Sequence, residues 1–367
     1  MKTILHIIDT TGPGGAETVF IDLATRLPKD KFRSVVLIRG KGWVYEELCR
    51  RGVVPVILDA KGSFNWRYLL SIYKLIKLEK VDLIQSHLLG SNVYAALIGL
   101  ITRVPVIATF HGAVDIGDKE RFKGLKFGAI NVGAARVVAV SENLRQDIIQ
   151  RTSIAGGKID VIYNGIATAE FQHPRDSTLR QRFGWMGKEI IVGSLGNIRS
   201  AKGYDILLRA AAYLNEKEAP FRFVIAGQGK HGLYERLLRL REELGLEDIV
   251  HFLGFNDDPA GFLANLDMFL LSSTSEGFSI ATIQAMASKL PVVVTRSGGP
   301  EEIVNHGENG WLIEAGKPEA ISDALSELMG QQDMLDILAE KGQKHAQNTF
   351  DIEKMLSKYA DIYNAVL

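Results

Sequence analysis

The chain has 367 residues, is 46% hydrophobic and 23% charged, and carries 43 basic and 43 acidic residues. This composition is typical of a globular protein with more than one domain, and its balanced charge argues against nucleic acid as the main partner. The single cysteine, Cys49, excludes an internal disulfide framework and indicates a reducing compartment. Since no stretch approaches the roughly 18 consecutive apolar residues of a membrane span, we expect a cytoplasmic protein.

Short β-branched segments alternate with amphipathic helical segments from the N-terminus onward. The first set of predicted strands is 2–8, 33–39, 54–59, 81–87, 104–112 and 135–141. After a less patterned stretch at about 167–187, a second set follows at 190–196, 221–227, 249–254, 268–273 and 290–295. Near-continuous apolar strands separated by helices predict parallel sheets covered on both faces. The predicted fold class is therefore α/β, with two doubly wound Rossmann-like domains at 1–168 and 169–351, and a final helix (352–367) that could pack back onto the first domain.

The first predicted strand ends in a glycine-rich loop, DTTGPGGAETVF. Gly12, Gly14 and Gly15 precede a helix predicted to begin near Ala16, and glycine lets backbone N–H groups approach an anion at a helix start. The spacing differs from the dinucleotide-binding fingerprint, which disfavours a nicotinamide dehydrogenase. An ordinary tight turn explains this loop equally well.

Two loops of the second half could hold a phosphorylated ligand. Arg199 and Lys202 stand beside a glycine at a helix entry, which suits a diphosphate, although solvated loop charges would look the same. In SEGFSIATIQAMAS, the helix-start N–H groups of Ser279 and Ile280 could stabilise phosphate without a cation. Glu276 would repel phosphate, so we expect it either to bind neutral hydroxyls, such as those of a sugar, or to satisfy the helix dipole.

Two histidines, His87 and His111, stand at predicted strand ends, and each is open to a functional or a structural interpretation. The sequence contains no histidine–carboxylate cluster with metal-ligand spacing and no G-x-S-x-G motif. We therefore expect neither a metal site nor a serine hydrolase.

Taken in order, the motifs of this chain resemble those of the family 4 retaining glycosyltransferases (glycosyl transferases group 1). That family has the GT-B architecture, in which two Rossmann-like domains face each other across a cleft. The matching segments are GPGGAE, ATFHG, VVAVSE, VIYNG, SLGNIRSAKG, VIAGQG and SEGFSIATIQAMASKLPVVVTRSGGPEEIV. The last block is the most specific, and the resemblance, from the first segment to the last, extends over nearly the whole chain.

The resemblance implies transfer of a hexose-type sugar, with retention, from a nucleotide sugar held mainly by the second domain to an acceptor held mainly by the first. It implies no metal and no other cofactor. Lys202 would bind the donor diphosphate with Ser279 and Ile280, Glu276 would hold the donor sugar, and His111 would lie beside that sugar. The other implied donor-binding residues are Gly14, Gly15, Asn197, Arg199, Gly227, Gly277, Phe278 and Gln284. Glu17 and His87 would contact the acceptor, and Glu302 would support a loop.

Two positions depart from the family pattern. Gln284 stands where the family usually has an acid that binds the nucleotide ribose, and an amide accepts hydrogen bonds less strongly than a carboxylate. Asn197 stands where many members carry a phosphate-binding arginine, for which Arg199 is the candidate replacement.

Two alternatives stay open. These departures motivate the first, a catalytically impaired protein that binds sugar nucleotides or glycans; the second is a GT-B sugar-nucleotide epimerase. We expect a UDP-sugar donor and a glycan or lipid-linked acceptor in surface polysaccharide biosynthesis. The segment 114–132 mixes Lys119, Arg121 and Lys123 with Phe122 and Leu125. It could meet the inner face of a membrane as a peripheral contact, or it could be a helix with a solvated basic side.

Overall fold

The computed structural model describes residues 1–59, 64–117, 120–185, 187–229 and 232–367. Over these residues the chain divides into two compact units. The first unit comprises Met1–Gly165 and Glu353–Leu367, and the second comprises Ile166–Ile352.

The first unit contains a parallel sheet of seven strands in the described ranges, in the order β3-β2-β1-β4-β5-β6-β7. Its strands are β1 (Lys2–Ile8), β2 (Phe32–Ile38), β3 (Val56–Ile57), β4 (Leu83–His87), β5 (Val106–Phe110), β6 (Arg136–Ala139) and β7 (Ile159–Val161). Its first helices are α1 (Gly15–Arg26), α2 (Trp43–Arg50), α3 (Trp66–Glu79), α4 (Leu89–Thr102), α5 (Lys123–Gly133) and α6 (Glu142–Arg151).

Alternate side chains of these strands enter two separate apolar cores. Leu5 and Ile7 of β1 pack with Ile72 of α3, whereas Ile8 packs with Phe20 of α1 and Val44 of α2. Because successive strand residues point to opposite faces, helices cover both sides of the sheet. This is the doubly wound arrangement that the apolar strand segments predict.

The second unit repeats the pattern with six described strands, in the order β10-β9-β8-β11-β12-β13. These strands are β8 (Ile190–Leu195), β9 (Phe221–Ala226), β10 (Val250–Gly254), β11 (Met268–Leu271), β12 (Val292–Arg296) and β13 (Trp311–Glu314). The helices are α7 (Thr178–Phe183), α8 (Tyr204–Glu216), α9 (Leu233–Glu243), α10 (Pro259–Ala264), α11 (Ile280–Ala287), α12 (Pro318–Leu328) and α13 (Gln332–Thr349). The predicted class, α/β with two doubly wound Rossmann-like domains, is confirmed. In both sheets the order reverses beside the first strand, and ligands of such sheets bind at that switch point.

The sequence analysis did not predict β7 and β13, because both are short strands at the edge of a sheet. β7 has three residues and pairs only with β6, and β13 has four residues and pairs only with β12 within the described residues. The periodic signal of so few residues is weak.

The two units divide between Gly165 and Ile166, slightly before the expected boundary at residue 168. Ile166 belongs to the second unit because its N–H donates to the Phe350 carbonyl at 2.9 Å, and its own carbonyl accepts from the Ile352 N–H at 2.8 Å. The final helix, α14 (Ile352–Val366), contributes residues from Glu353 onward to the first unit. There its Tyr363 ring meets Phe32 edge-on, with ring centroids 5.7 Å apart.

Candidate active site

Lys202 and Glu276 form an ion pair at the strand ends of the second unit. The Lys202 Nζ lies 2.7 Å from Glu276 Oε1, and the side chains are 19% and 13% exposed. The Ser273 hydroxyl donates to the same carboxylate oxygen at 2.6 Å. The structure thus joins two predicted site residues that are 74 positions apart in the chain, and it adds Ser273, which the sequence analysis did not single out.

The turn that carries Lys202 is held against the end of β11 by close packing and a hydrogen bond. Gly203 has φ +61°, and a Cβ there would lie 2.2 Å from the Ser272 carbonyl oxygen, so only glycine fits. The Ser272 hydroxyl donates to the Lys202 carbonyl at 2.8 Å. These contacts fix the backbone from which the lysine side chain extends.

A second loop supports the Glu276 backbone. The Glu276 N–H donates to the Ser297 carbonyl at 2.8 Å, and the Gly299 N–H donates to the Glu276 carbonyl at 3.1 Å. A Cβ on Gly299 would lie 2.4 Å from the Gly277 carbonyl oxygen, so the two loops can approach this closely only with glycine there.

The acid that holds this second loop is Glu301. Its Oε2 accepts from the N–H groups of Ser297 at 3.1 Å and Gly298 at 2.9 Å. Glu301, the neighbour of the expected Glu302, therefore supports this loop from the short 3-10 turn at Gly299–Glu302.

Helix α11 begins directly after Gly277 and Phe278. Ser279 caps it, accepting from the Thr282 N–H at 3.3 Å, so the N–H groups of Ile280 and Ala281 stand at the free end of the helix. The Phe278 side chain is buried and meets Phe350 edge-on at 5.6 Å between ring centroids. Any contact of Phe278 with a donor therefore comes from its backbone. Gln284 lies one turn into α11 and is half-buried.

Asn197, Arg199 and Gly227 lie where β8 and β9 end. A Cβ on Gly227 would lie 2.0 Å from the Gly196 carbonyl oxygen, so these two strand ends touch. The Arg199 side chain is exposed and makes no hydrogen bond or ion pair with another described residue. Tyr204 donates its hydroxyl to the Gly196 carbonyl at 2.8 Å, and burial, with the Glu276 charge, raises the pKa of this hydroxyl.

The glycine-rich loop of the first unit is closed by Glu17. Gly14 caps α1, and a Cβ there would lie 2.3 Å from Glu17 Oε2. Glu17 is almost fully buried, so its carboxylate covers Gly14 and presents little surface to an acceptor. A phosphate at Gly14 or Gly15 would meet this negative charge unless the Glu17 side chain moved.

His87 and His111 are in direct contact at the ends of β4 and β5. His87 Nδ1 lies 2.8 Å from His111 Nε2, and burial lowers the pKa of His111 to about 3 and that of His87 well below its ordinary value. Both rings are therefore neutral. His87 is completely buried, so it cannot touch an acceptor in this structure; it contacts His111 instead.

Asp115 holds the backbone beside this pair. Its Oδ2 accepts from the His111 N–H at 2.7 Å, and burial raises the pKa of this carboxyl to about 7. Asp115 lies in the short 3-10 turn Ala113–Ile116. No motif in the sequence marks such a turn, so the sequence analysis did not predict that Asp115 would bind the His111 backbone.

Neither a metal-binding group nor a membrane-spanning helix is found where the structure is described. The described side chains include no group of three or more His, Cys, Asp or Glu residues that could hold a metal ion. None of the described helices is both long enough and apolar enough to cross a bilayer.

Two family models together match most of the chain. Residues 13–170 match Glycosyltransferase Family 4, and residues 176–345 match Glycosyl transferases group 1. The boundary between the two matches falls close to the boundary between the two compact units.

Individual relatives and solved structures agree with these matches. The N-acetyl-alpha-D-glucosaminyl L-malate synthase of Bacillus anthracis is 29% identical over 269 residues, which cover 72% of this chain and 69% of the relative. The Escherichia coli UDP-Gal:alpha-D-GlcNAc-diphosphoundecaprenol alpha-1,3-galactosyltransferase is 25% identical over 325 residues, 86% of this chain and 81% of the relative. The crystal structure of Anabaena HepE in complex with UDP and glucose superposes with a TM-score of 0.89 at 25% identity over 100% of both chains. On this evidence the chain is a glycosyltransferase of the GT-B fold and belongs to the family described by the Glycosyltransferase Family 4 and Glycosyl transferases group 1 models.

Proposed function

We propose that this chain transfers a hexose-type sugar from a UDP-sugar to a glycan or lipid-linked acceptor, with retention at the anomeric carbon, in surface polysaccharide biosynthesis. The observation that carries the proposal is the Lys202–Glu276 pair beside the start of α11. These groups offer a cation and free N–H groups for a diphosphate, and a carboxylate for sugar hydroxyls. The Anabaena structure contains UDP and glucose, and the Escherichia coli relative is named for UDP-Gal, which favours uridine as the donor base.

Because they are paired, Lys202 and Glu276 lie close enough to bind neighbouring parts of one donor, its diphosphate and its sugar. The carboxylate partly offsets the ammonium charge, so the diphosphate would gain much of its stabilisation from the α11 N–H groups. The Ser273 hydrogen bond holds Glu276 Oε1, which leaves Oε2 available to accept from a sugar hydroxyl. Arg199, which is exposed, is free to turn toward the diphosphate.

The reaction requires charge stabilisation at the leaving group. The bond from the anomeric carbon to the diphosphate oxygen breaks, and a bond from the acceptor oxygen forms on the same face of the sugar. The acceptor proton passes to a diphosphate oxygen, so no enzyme nucleophile is needed. Lys202 and the helix-start N–H groups stabilise the departing charge, which is the main catalytic contribution expected of such a site. We also propose that no metal takes part, so turnover should survive EDTA.

A lipid-linked acceptor would bring the first unit to a membrane surface. Val114, Phe122 and Leu125 are strongly exposed apolar side chains, and the Arg121 guanidinium lies 5.0 Å from the Phe122 ring centroid. Such a mixture favours an interface with anionic lipid. Lys119, which the sequence analysis counted among the basic residues of this segment, lies outside the described residues. Salt-sensitive sedimentation with anionic vesicles is the expected result, and sedimentation indistinguishable from neutral vesicles would remove the membrane contact.

Donor assays test the proposal directly. Thermal shift with UDP, UDP-glucose, GDP-mannose and ADP-glucose should show the largest stabilisation with a uridine nucleotide. The purified chain should then release UDP from UDP-glucose, slowly without acceptor and faster with one, and NMR of the product should show the anomeric configuration of the donor. Tight binding without UDP release would favour a sugar-nucleotide binding protein, and conversion of the donor into another UDP-sugar would favour an epimerase.

A further inference from the structure

A chain of hydrogen bonds inside the first unit connects the final helix to His111. The Tyr363 hydroxyl donates to Gln85 Oε1 at 3.1 Å, and Gln85 Nε2 lies 3.2 Å from His87 Nε2. His87 Nδ1 in turn lies 2.8 Å from His111 Nε2. Tyr363, Gln85 and His87 are all completely buried, so water does not compete for these bonds.

The surroundings of Gln85 determine which way its amide points. Gln85 Nε2 lies 3.3 Å from the Ser86 carbonyl oxygen and 2.8 Å from Thr109 Oγ1. A carbonyl oxygen can only accept, so this contact favours the amide nitrogen on that side, as does the Tyr363 hydroxyl donated to Oε1 on the other. The amide oxygen is left to accept from Tyr363.

This orientation determines the position of each histidine proton. An amide nitrogen can only donate, so His87 Nε2 must accept, and the two N–H groups of Gln85 are shared among three acceptors. Burial lowers the pKa of both rings, so each carries one proton. The His87 proton is therefore on Nδ1 and is donated to His111 Nε2, which leaves the His111 proton on its own Nδ1.

We propose that Tyr363, Gln85 and His87 are positioning residues that hold His111 as the Nδ1–H tautomer, so that this ring donates a hydrogen bond to the substrate and takes no proton from it. His111 Nδ1 is shielded from solvent and has no hydrogen-bond partner among the described residues. A buried N–H without a partner is costly, so the site gains when an oxygen acceptor of the ligand supplies the missing bond. Because Nδ1 is shielded from solvent, the groups that cover it must shift for that contact to form. The identification of the ligand as the donor sugar rests on the proposed function; the tautomer does not.

The tautomer can be observed in the ligand-free chain. The 367-residue chain has eight histidines. Selective ¹⁵N labelling, with assignment by His111→Asn and His87→Asn variants, resolves the two rings. Proton–nitrogen correlation spectra should show Nδ1 protonated and Nε2 unprotonated in both. A His111 ring protonated at Nε2 overturns the proposal. This readout needs no substrate, so it decides the tautomer even if the donor assays disprove the proposed function.

A pair of substitutions separates proton positioning from packing. His87→Leu keeps apolar volume but removes the donor to His111, whereas His87→Asn places an amide N–H near the position of Nδ1. UDP release from UDP-glucose should fall about tenfold in the leucine variant, the loss of one neutral hydrogen bond, and stay within about threefold in the asparagine variant. A purely structural role predicts the opposite order, since leucine suits a buried site better. Leucine equal to or better than asparagine therefore overturns the proposal.

Two tyrosines of the final helix allow the role of the Tyr363 hydroxyl to be tested against a matched control. Tyr363→Phe removes the hydroxyl that Gln85 accepts from, so a second tautomer of His87 and His111 should appear in the spectra. Tyr359→Phe removes another buried hydroxyl from the same helix, one that reaches Gln85 only through Thr109 Oγ1, 3.4 Å away. It should change both tautomers less than Tyr363→Phe does. Spectra that respond equally to the two variants contradict a specific role for Tyr363.

Discussion

Replacing Lys202 with methionine removes the ammonium group but keeps most of the aliphatic stem. In the structure this ammonium lies 2.7 Å from Glu276 Oε1, in a site where both side chains are mostly buried. If it stabilises the departing diphosphate, its loss should raise the barrier by about 2–4 kcal/mol, as for other preorganised charge-stabilising groups. The corresponding fall in kcat for UDP release is roughly 30- to 1000-fold.

The same substitution leaves a mostly buried carboxylate without its cation. Glu276 would retain the Ser273 hydrogen bond, and we expect the free energy of unfolding to fall by roughly 1–3 kcal/mol. Adding Glu276→Gln removes the uncompensated charge. The double variant should therefore regain most of the lost stability in urea unfolding but none of the lost turnover, which separates the catalytic loss from the folding loss.

An exposed ion pair supplies the control for this experiment. Lys344 Nζ lies 2.8 Å from Glu340 Oε1 on α13, with side chains 67% and 55% exposed. Because exposed pairs contribute little, Lys344→Met should change neither stability nor UDP release appreciably. A Lys202→Met variant that also releases UDP within about threefold of the unaltered chain would refute the diphosphate assignment.

Three further predictions concern other parts of the two units. Gln284→Glu should tighten UDP binding about fivefold in calorimetry, because a carboxylate accepts ribose hydroxyls more strongly than an amide; unchanged or weaker binding contradicts contact with ribose. Burial raises the pKa of Asp115 in the folded chain from the ordinary 3.8 to about 7, so the folded chain binds this proton more tightly than the unfolded chain. The stability that the protonated Asp115 carboxyl contributes is therefore lost as pH rises from about 4 to 7. Asp115→Asn should flatten that part of the stability–pH curve in urea unfolding, and an unchanged slope would show that the carboxyl titrates normally. Gly299→Ala should lower the free energy of unfolding by roughly 1–3 kcal/mol and weaken donor binding, because the new Cβ would lie 2.4 Å from the Gly277 carbonyl oxygen. Gly128→Ala is the control: its Cβ meets nothing within 4 Å, so it should lower neither stability nor donor binding.

Much of the fold follows from local sequence pattern. Apolar β-branched segments such as those of β1 and β8 predict their own strands, because period and propensity are properties of a few neighbouring residues. The loop positions of Lys202, Glu276 and His111 follow as well, since strand ends of parallel sheets are marked by glycine and polar residues. Edge strands β7 and β13 were missed because they are too short for a periodic signal.

The sequence by itself therefore determined the order of the strands other than β7 and β13, the glycosyltransferase motifs and the loops in which site residues stand. Only the tertiary structure decided which side chains meet. It paired Lys202 with Glu276, gave Glu301 a part in supporting the neighbouring loop, and buried His87. It also joined Tyr363 to Gln85, 278 positions away. Hydrogen bonds and ion pairs act over about 3 Å, and no local pattern records which distant segments the packing of a sheet brings within that range.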